Sequence, residues 1–206
     1  MRYTGPKNRI ARREGMDLNM KTAGSKSHAM LLKKLNILPG QHGTRTRRKV
    51  SEHGVQLREK QKLRYTYSIT EKQLKNYFVA ASKKKGNTAS YLTEMLERRL
   101  DNIVYRLGFA PTRAAARQLV AHKHIKVNEK MVGVASYQVR KDEVISFIKD
   151  ATAKIPYVEK SLSNKDYTPP QWLVREGLSG KVVNTPEIPE AEKIINLRPI
   201  IEFYSR

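Results

Sequence analysis

RLDNIVYRLGFAPTRAAARQLVAHKHIKVN, residues 99–128, changes its apolar period partway along, and that change decides the fold. Leu92, Leu96, Leu100, Ile103 and Leu107 recur at spacings of four, four, three and four, one face of a helix that stops at Gly108. Pro111-Thr112 opens a second helix, with Thr112 as N-cap and Ala115, Ala116, Leu119 and Val120 as its apolar side. Alanine at the contact lets two helix backbones approach closely, so a compact pair is expected over 92–124. From Ile125 the period falls to two. Ile125 and Val127 alternate with Lys126, and Asn128-Glu129-Lys130 turns the chain into Met131–Val134. Val139, Val144, Ser146 and Ile148, against Ile145 and Phe147, carry the alternation to about residue 148 around an Arg140-Lys141-Asp142-Glu143 turn. Two helices packed on a small antiparallel sheet make an α+β module.

Upstream, the signals are helical and basic. From Ser51 the apolar positions are Val55, Leu57, Leu63, Leu74, Tyr77 and Phe78, with Arg58, Lys60, Lys62 and Arg64 crowded between them. Thr70 and Gln73 stand at capping-box spacing, so a helix is expected to start there. Lys83-Lys84-Lys85-Gly86 ends it, with cations at the helix's negative pole, so the lysine run has a purely structural reading too. Residues 1–44 scatter Gly5-Pro6, Gly15, Gly24, Pro39-Gly40 and Gly43 among charges. They read as an irregular arm with one short helix through Met30–Leu35. Such an arm either becomes ordered when its cations meet phosphates or stays a tail without specific contacts. Downstream, Gly177, Gly180 and the prolines between residues 156 and 199 read as a looping connector, with Trp172 in a core or interface.

Charge narrows the function. Lys and Arg total 41 against 19 acidic residues among 206, a net of +22. Residues 1–93 carry +17 of it, 94–149 carry +5, and 150–206 are neutral. A chain so charged repels itself when compact, so it is expected to sit beside a polyanion. No apolar stretch approaches the roughly 20 residues of a membrane span, and no long amphipathic helix with aromatics on its apolar face is found. MRYTGPKNRI has no apolar core behind its charges, so a secretory leader is not expected. Cysteine is absent, which excludes disulfides and thiolate metal sites and fits a cytoplasmic protein. His28, His42 and His53 lie in Gly- and charge-rich segments without a catalytic partner. There is no G-x-S-x-G, no G-x-x-x-x-G-K-[ST] and no strand-borne G-x-G-x-x-G, so the chain is read as no enzyme. Arg113 and Arg117, one turn apart, with Gln118, His122, Lys123 and His124 beyond, fit either a solvated helix face or a grip on phosphates and sugars.

Residues 99–128 resemble the small RNA-binding module named after ribosomal protein S-four, which also occurs in RNA-modifying enzymes and a tRNA synthetase. The flanks separate these possibilities. RYTGPKNRIARREG (2–15), PGQHG (39–43), LREKQKLRYTYSITEKQ (57–73), ASKKKGN (81–87) and IIEFYSR (200–206) are similar, in order, to the S-four family of bacterial-type small-subunit ribosomal proteins. That resemblance implies a basic arm (1–44) and a mostly helical rRNA-binding domain (45–93) to which the carboxyl-terminal end (about 186–206) returns. It implies the α+β module with its extended connector over 94–185. It further implies early binding to a multi-helix junction of small-subunit rRNA, nucleating assembly of the subunit body, and an influence on translational accuracy. Neighbouring ribosomal proteins, among them the protein numbered five, and mRNA where it enters the subunit are the implied partners. Some members also repress translation of their own message.

The RNA-contacting set expected on these grounds is Arg2, Tyr3, Lys7, Arg9, Arg12 and Arg13, then Gln41, His42, Arg45, Arg47, Arg48 and Lys49. It continues with Arg58, Lys60, Lys62, Arg64, Lys83, Lys84 and Lys85, and ends in the module with Arg113, Arg117, Gln118, His122, His124 and Lys126. There are departures from the family. Many members bind zinc through four cysteines near the amino terminus. The matching positions here are Asn8, Ala11, Ser25 and Met30, and His28 alone cannot complete a tetrahedral site. No metal or cofactor is expected, and an arm without its metal clip is expected to depend more on RNA for order. Asn128-Glu129 stands where Asn-Gly is usual, and Lys141-Asp142 where Gly-Asp is usual, so both turns must form without glycine.

Overall fold

Thr70 and Gln73 do form a reciprocal capping box at the head of a helix over Glu71–Ser82. In the computed structural model, which describes residues 3–45, 49–164, 167–186 and 195–205, this helix is the fourth of the chain. Before it come α1 (Lys7–Glu14), α2 (Lys26–Lys33) and α3 (Glu52–Thr66), the last capped by Ser51, whose Oγ accepts the Gly54 N–H at 3.2 Å. The helix over Glu71–Ser82, α4, and α3 are covered by α9 (Leu197–Ser205). Ile200 is fully buried there, and the Tyr204 ring stacks on Phe78 with centroids 5.0 Å apart. The arm is more ordered than its glycines predict. It holds two helices instead of a single turn through Met30–Leu35, because Ile10, Leu18 and Met20 close a small apolar cluster with Met16 and Tyr65. These elements belong to one compact unit, Met1–Ala89 with Lys193–Arg206; Ser90–Glu192 forms the second.

The second unit corrects the reading of a single helix over 92–107. The chain forms α5 (Thr88–Glu97), breaks at Arg98-Arg99, and resumes as α6 (Leu100–Arg106). Arg99 is extended, at φ −64 and ψ 135, and bridges to Gln138 as an isolated antiparallel pair. The freed N–H groups of Leu100 and Asp101 donate to the carbonyls of Tyr137 and Ala135 at 2.9 and 3.2 Å. The break therefore leaves these two donors satisfied, and the leucine spacing stays in phase across it. Thr112 caps α7 (Arg113–Ala121) as expected, its Oγ1 accepting the Ala115 N–H at 3.2 Å.

Among the described residues, β1 (Ile125–Val127), β2 (Lys130–Met131), β3 (Val144–Phe147), β4 (Leu173–Glu176) and β5 (Ser179–Val182) form one antiparallel sheet in the order β2-β1-β3-β5-β4. The expected strand through Val134 is shorter, ending at Met131, and Val139 is buried without being in a strand. The segment read as a looping connector is largely structured. After a 3-10 turn (Asp150–Lys154) it contains α8 (Pro156–Leu162) and then the β4–β5 hairpin, which widens the sheet. Gly180 on β5 is needed there, since an added Cβ would strike the Leu107 side chain. Trp172 lies in the core with Leu100, Leu107, Phe109, Leu119, Ile145 and Val182. The two glycine-free turns form at positive φ all the same: 46° at Asn128, 65° at Glu129 and 68° at Asp142.

Candidate nucleic-acid interface

The cations fall into two populations: those bonded inside the protein and those presented to solvent. The internal group centres on Glu97 at the end of α5 and Asp101 in the first turn of α6, four residues apart and both buried. Glu97 accepts from Arg106 at 2.9 and 3.2 Å and from Asn102 Nδ2 at 2.6 Å. Asp101 accepts from Arg99 at 2.8 and 3.0 Å and from Arg117 at 2.6 and 2.9 Å. Arg113 donates its Nε to Asn102 Oδ1 at 2.8 Å, with its guanidinium 4.6 Å from the Tyr105 ring centre. Such paired guanidinium forks fix orientation as well as charge. They lock α6 against α7.

This network takes Arg113, at 3% exposure, away from the surface and commits the fork of the half-buried Arg117 to Asp101. The structure places both side chains in bonds that hold the helix pair together. What α7 does present is Gln118, then His122 and Lys123 beyond its end, with Lys123 in the left-handed region at φ 59. Lys123, absent from the expected set, is exposed beside two of its members. The His122 and His124 rings are 6.4 Å apart, and His124 Nδ1 lies 3.3 Å from the Thr152 hydroxyl. Lys126 is half-buried and paired with the exposed Glu129 at 2.6 Å.

The first unit sorts its cations the same way. Lys60 is buried, donates to Glu71 Oε1 at 2.7 Å and lies 4.4 Å from the Phe203 ring centre, so it serves as an internal tie. Tyr204 donates its hydroxyl to the same Glu71 oxygen at 2.6 Å. Burial alone would raise the Glu71 carboxyl, but the hydrogen bonds from Lys60 and Tyr204 hold it below its usual range. Burial, helped by Glu71, pushes the Tyr204 phenol up. Lys62 is half-buried and paired with Glu59 at 2.6 Å. Arg64 lies over the Tyr65 ring at 4.4 Å, and Tyr3 packs edge-on against that ring. Arg58 pairs with Glu14 at 3.1 Å, whose carboxyl burial pushes up.

In the arm, Lys7 donates to the Met20 carbonyl, and Arg12 to the carbonyls of Ile37 and Leu38. Arg9, Arg13, Gln41, His42, Arg45 and Lys49 are exposed, as are Lys83, Lys84 and Lys85. So are Lys26, Lys33 and Lys34 of α2 and its end. Arg2, Arg47 and Arg48 lie outside the described residues. Among the described residues no three His, Cys, Asp or Glu side chains gather as a metal site, and no helix is long and apolar enough to cross a membrane.

The chain thus joins a basic helical unit to an α+β module whose helix pair is locked by internal arginines. Residues 2–97 match the family described as Ribosomal protein S4/S9 N-terminal domain, and residues 98–145 match the S4 domain. Small ribosomal subunit protein uS4 of Aquifex aeolicus is 46% identical over 213 residues, covering 100% of this chain and 99% of that protein. The proteins of the same name from Parabacteroides distasonis and Chromobacterium violaceum are each 44% identical over 207 residues, with the same coverage. The chain belongs to the uS4 family of small-ribosomal-subunit proteins, a family of structural constituents and not of enzymes.

Proposed function

We propose that this protein binds small-subunit rRNA directly and early, nucleating assembly of the subunit body in the cytoplasm and contributing to translational accuracy. The sorting of the cations carries the reading. Internal partners take up Lys60, Arg99, Arg106, Arg113 and Arg117, while Arg9, Arg13, Arg45, Lys49 and the Lys83–Lys85 run remain on the surface of a strongly basic unit. Exposed Arg and Lys on a rigid frame neutralise phosphates and release counterions. Gln118 and His122 at the end of α7 supply groups suited to sugars and bases. The protein numbered five and mRNA where it enters the subunit are the further partners proposed, and repression of its own message would use the same face.

Titration of the full chain onto small-subunit rRNA between roughly 50 and 200 mM salt tests this, with affinity expected to fall about a thousandfold. Replacing Arg9 and Arg13 with Gln should reduce the salt slope by about 2 and leave the melting curve unchanged. Affinity that varies less than about threefold over the salt range would refute direct phosphate recognition.

A further inference from the structure

The four positions at which many relatives hold zinc do not form a metal site in this chain. They supply an amide, a methyl group, a hydroxyl and a thioether, none of them a thiolate or an imidazole. Nor do they converge: Ala11 is 2% exposed, Met30 is 68% exposed, and the Ser25 Oγ is engaged by the His28 N–H as the cap of α2. Different bonds close the arm. Asn8 Nδ2 donates to the Ser27 carbonyl at 3.0 Å, tying α1 to α2. His28 Nε2 and Asp17 Oδ2 are 2.7 Å apart, with the side chains 15% and 24% exposed. The second Asp17 oxygen accepts the Asn19 N–H at 3.0 Å, so the carboxylate is held in place from both sides.

We infer that the amino-terminal arm is closed by an Asp17–His28 and Asn8–Ser27 hydrogen-bond clip that replaces the metal of its cysteine-bearing relatives and folds the arm without metal or RNA. The geometry is that of a closed unit. The clip links α2 back to α1 and to the Asp17 turn, the Arg12 fork fastens the segment at Ile37 and Leu38, and the apolar cluster of Ile10, Leu18 and Met20 lies between. An arm closed in this way would not wait for RNA to gain order. Its bearing on rRNA rests on the function proposed above: a preformed arm presents Arg9, Arg13, Lys26 and Lys33 without charging their ordering entropy to binding.

Hydrogen–deuterium exchange on the RNA-free full chain tests the clip, with wild type measured alone, with EDTA and with added Zn²⁺. Amides of residues 7–14 and 26–33 should be protected in wild type and unaffected by either addition. His28→Ala and Asp17→Ala should each speed exchange there by about tenfold, the scale of a hydrogen bond to a charged group. The double variant should go little further, while exchange in α3 and α6 stays as it was. Three results would each overturn the inference: an unprotected wild-type arm, exchange slowed by zinc, or alanine variants no faster than wild type. RNA is absent throughout, so failure of the rRNA reading would show only in the salt titration and leave this measurement untouched.

Discussion

Replacing Asp101 with Asn changes one atom's chemistry at the centre of the module while keeping its shape. The carboxylate accepts from two guanidiniums, with Arg99 and Asp101 1% and 4% exposed as side chains and Arg117 18% exposed. An amide turns N–H groups toward at least one of these forks, leaving positive charge buried without its counter-charge. Breaking one partner of a buried ion pair costs about 3–5 kcal/mol, a large part of the stability of a domain this size. With a urea dependence of about 2 kcal/mol per M, the unfolding midpoint should fall by about 2 M. The chain's single tryptophan, Trp172, is 4% exposed in the same core, so its fluorescence reports this unit directly. Asp142→Asn is the control. Its partner Lys181 is 2.9 Å away, but the side chains are 48% and 64% exposed, so that midpoint should not move measurably. If Asp101→Asn shifts the midpoint no further than the control, the network does not hold the helix pair.

Two further outcomes follow from particular bonds. Glu71 titrates below its usual range when folded, so its contribution to seating α9 is present at neutral pH. It is lost as pH falls below about 4.5 and through the lowered folded value. Amide exchange in α9 should accelerate on acidification in wild type and show a flatter pH profile in Glu71→Gln. The comparison cancels Glu14, which is shifted the opposite way. Glu129→Gly removes a side chain held at φ 65 and should stabilise the module by about 0.5–1 kcal/mol in urea unfolding, net of glycine's greater freedom when unfolded.

What the sequence disclosed was mostly local. The Thr70–Gln73 box and the Thr112 cap depend on residues three positions apart, and both helices start where those residues stand. The break at Arg99 was hidden because Leu96 and Leu100 keep helical spacing across it. Its cause is the distant pairing with Gln138. The β4–β5 hairpin was hidden because its strands are four residues each, with charges at Arg175, Glu176 and Lys181, and it joins the sheet through the distant pairing of β5 with β3. Both readings of the cations near α7, a solvated face or a grip on phosphates, set them at the surface, and neither foresaw the internal bonds of Arg113 and Arg117. Glu97 and Asp101, carboxylates four residues apart among leucines, were the available sign of internal ion pairs. The family itself was legible from residues 99–128 and their flanks, because motif order survives where tertiary contacts cannot be read.

The first unit is completed from far downstream: Gln56 on α3 donates to Glu202 on α9 at 3.3 Å, across 146 residues. During synthesis α3 and α4 emerge long before the helix that covers them, while the contiguous module between is free to fold as it appears. At translation rates of about 5–20 residues per second, that wait is roughly 7–29 s. A newborn chain is thus a finished module trailing behind an unfinished and strongly basic leader. Its apolar seam stands open over that interval to any anion or chaperone that reaches it before α9.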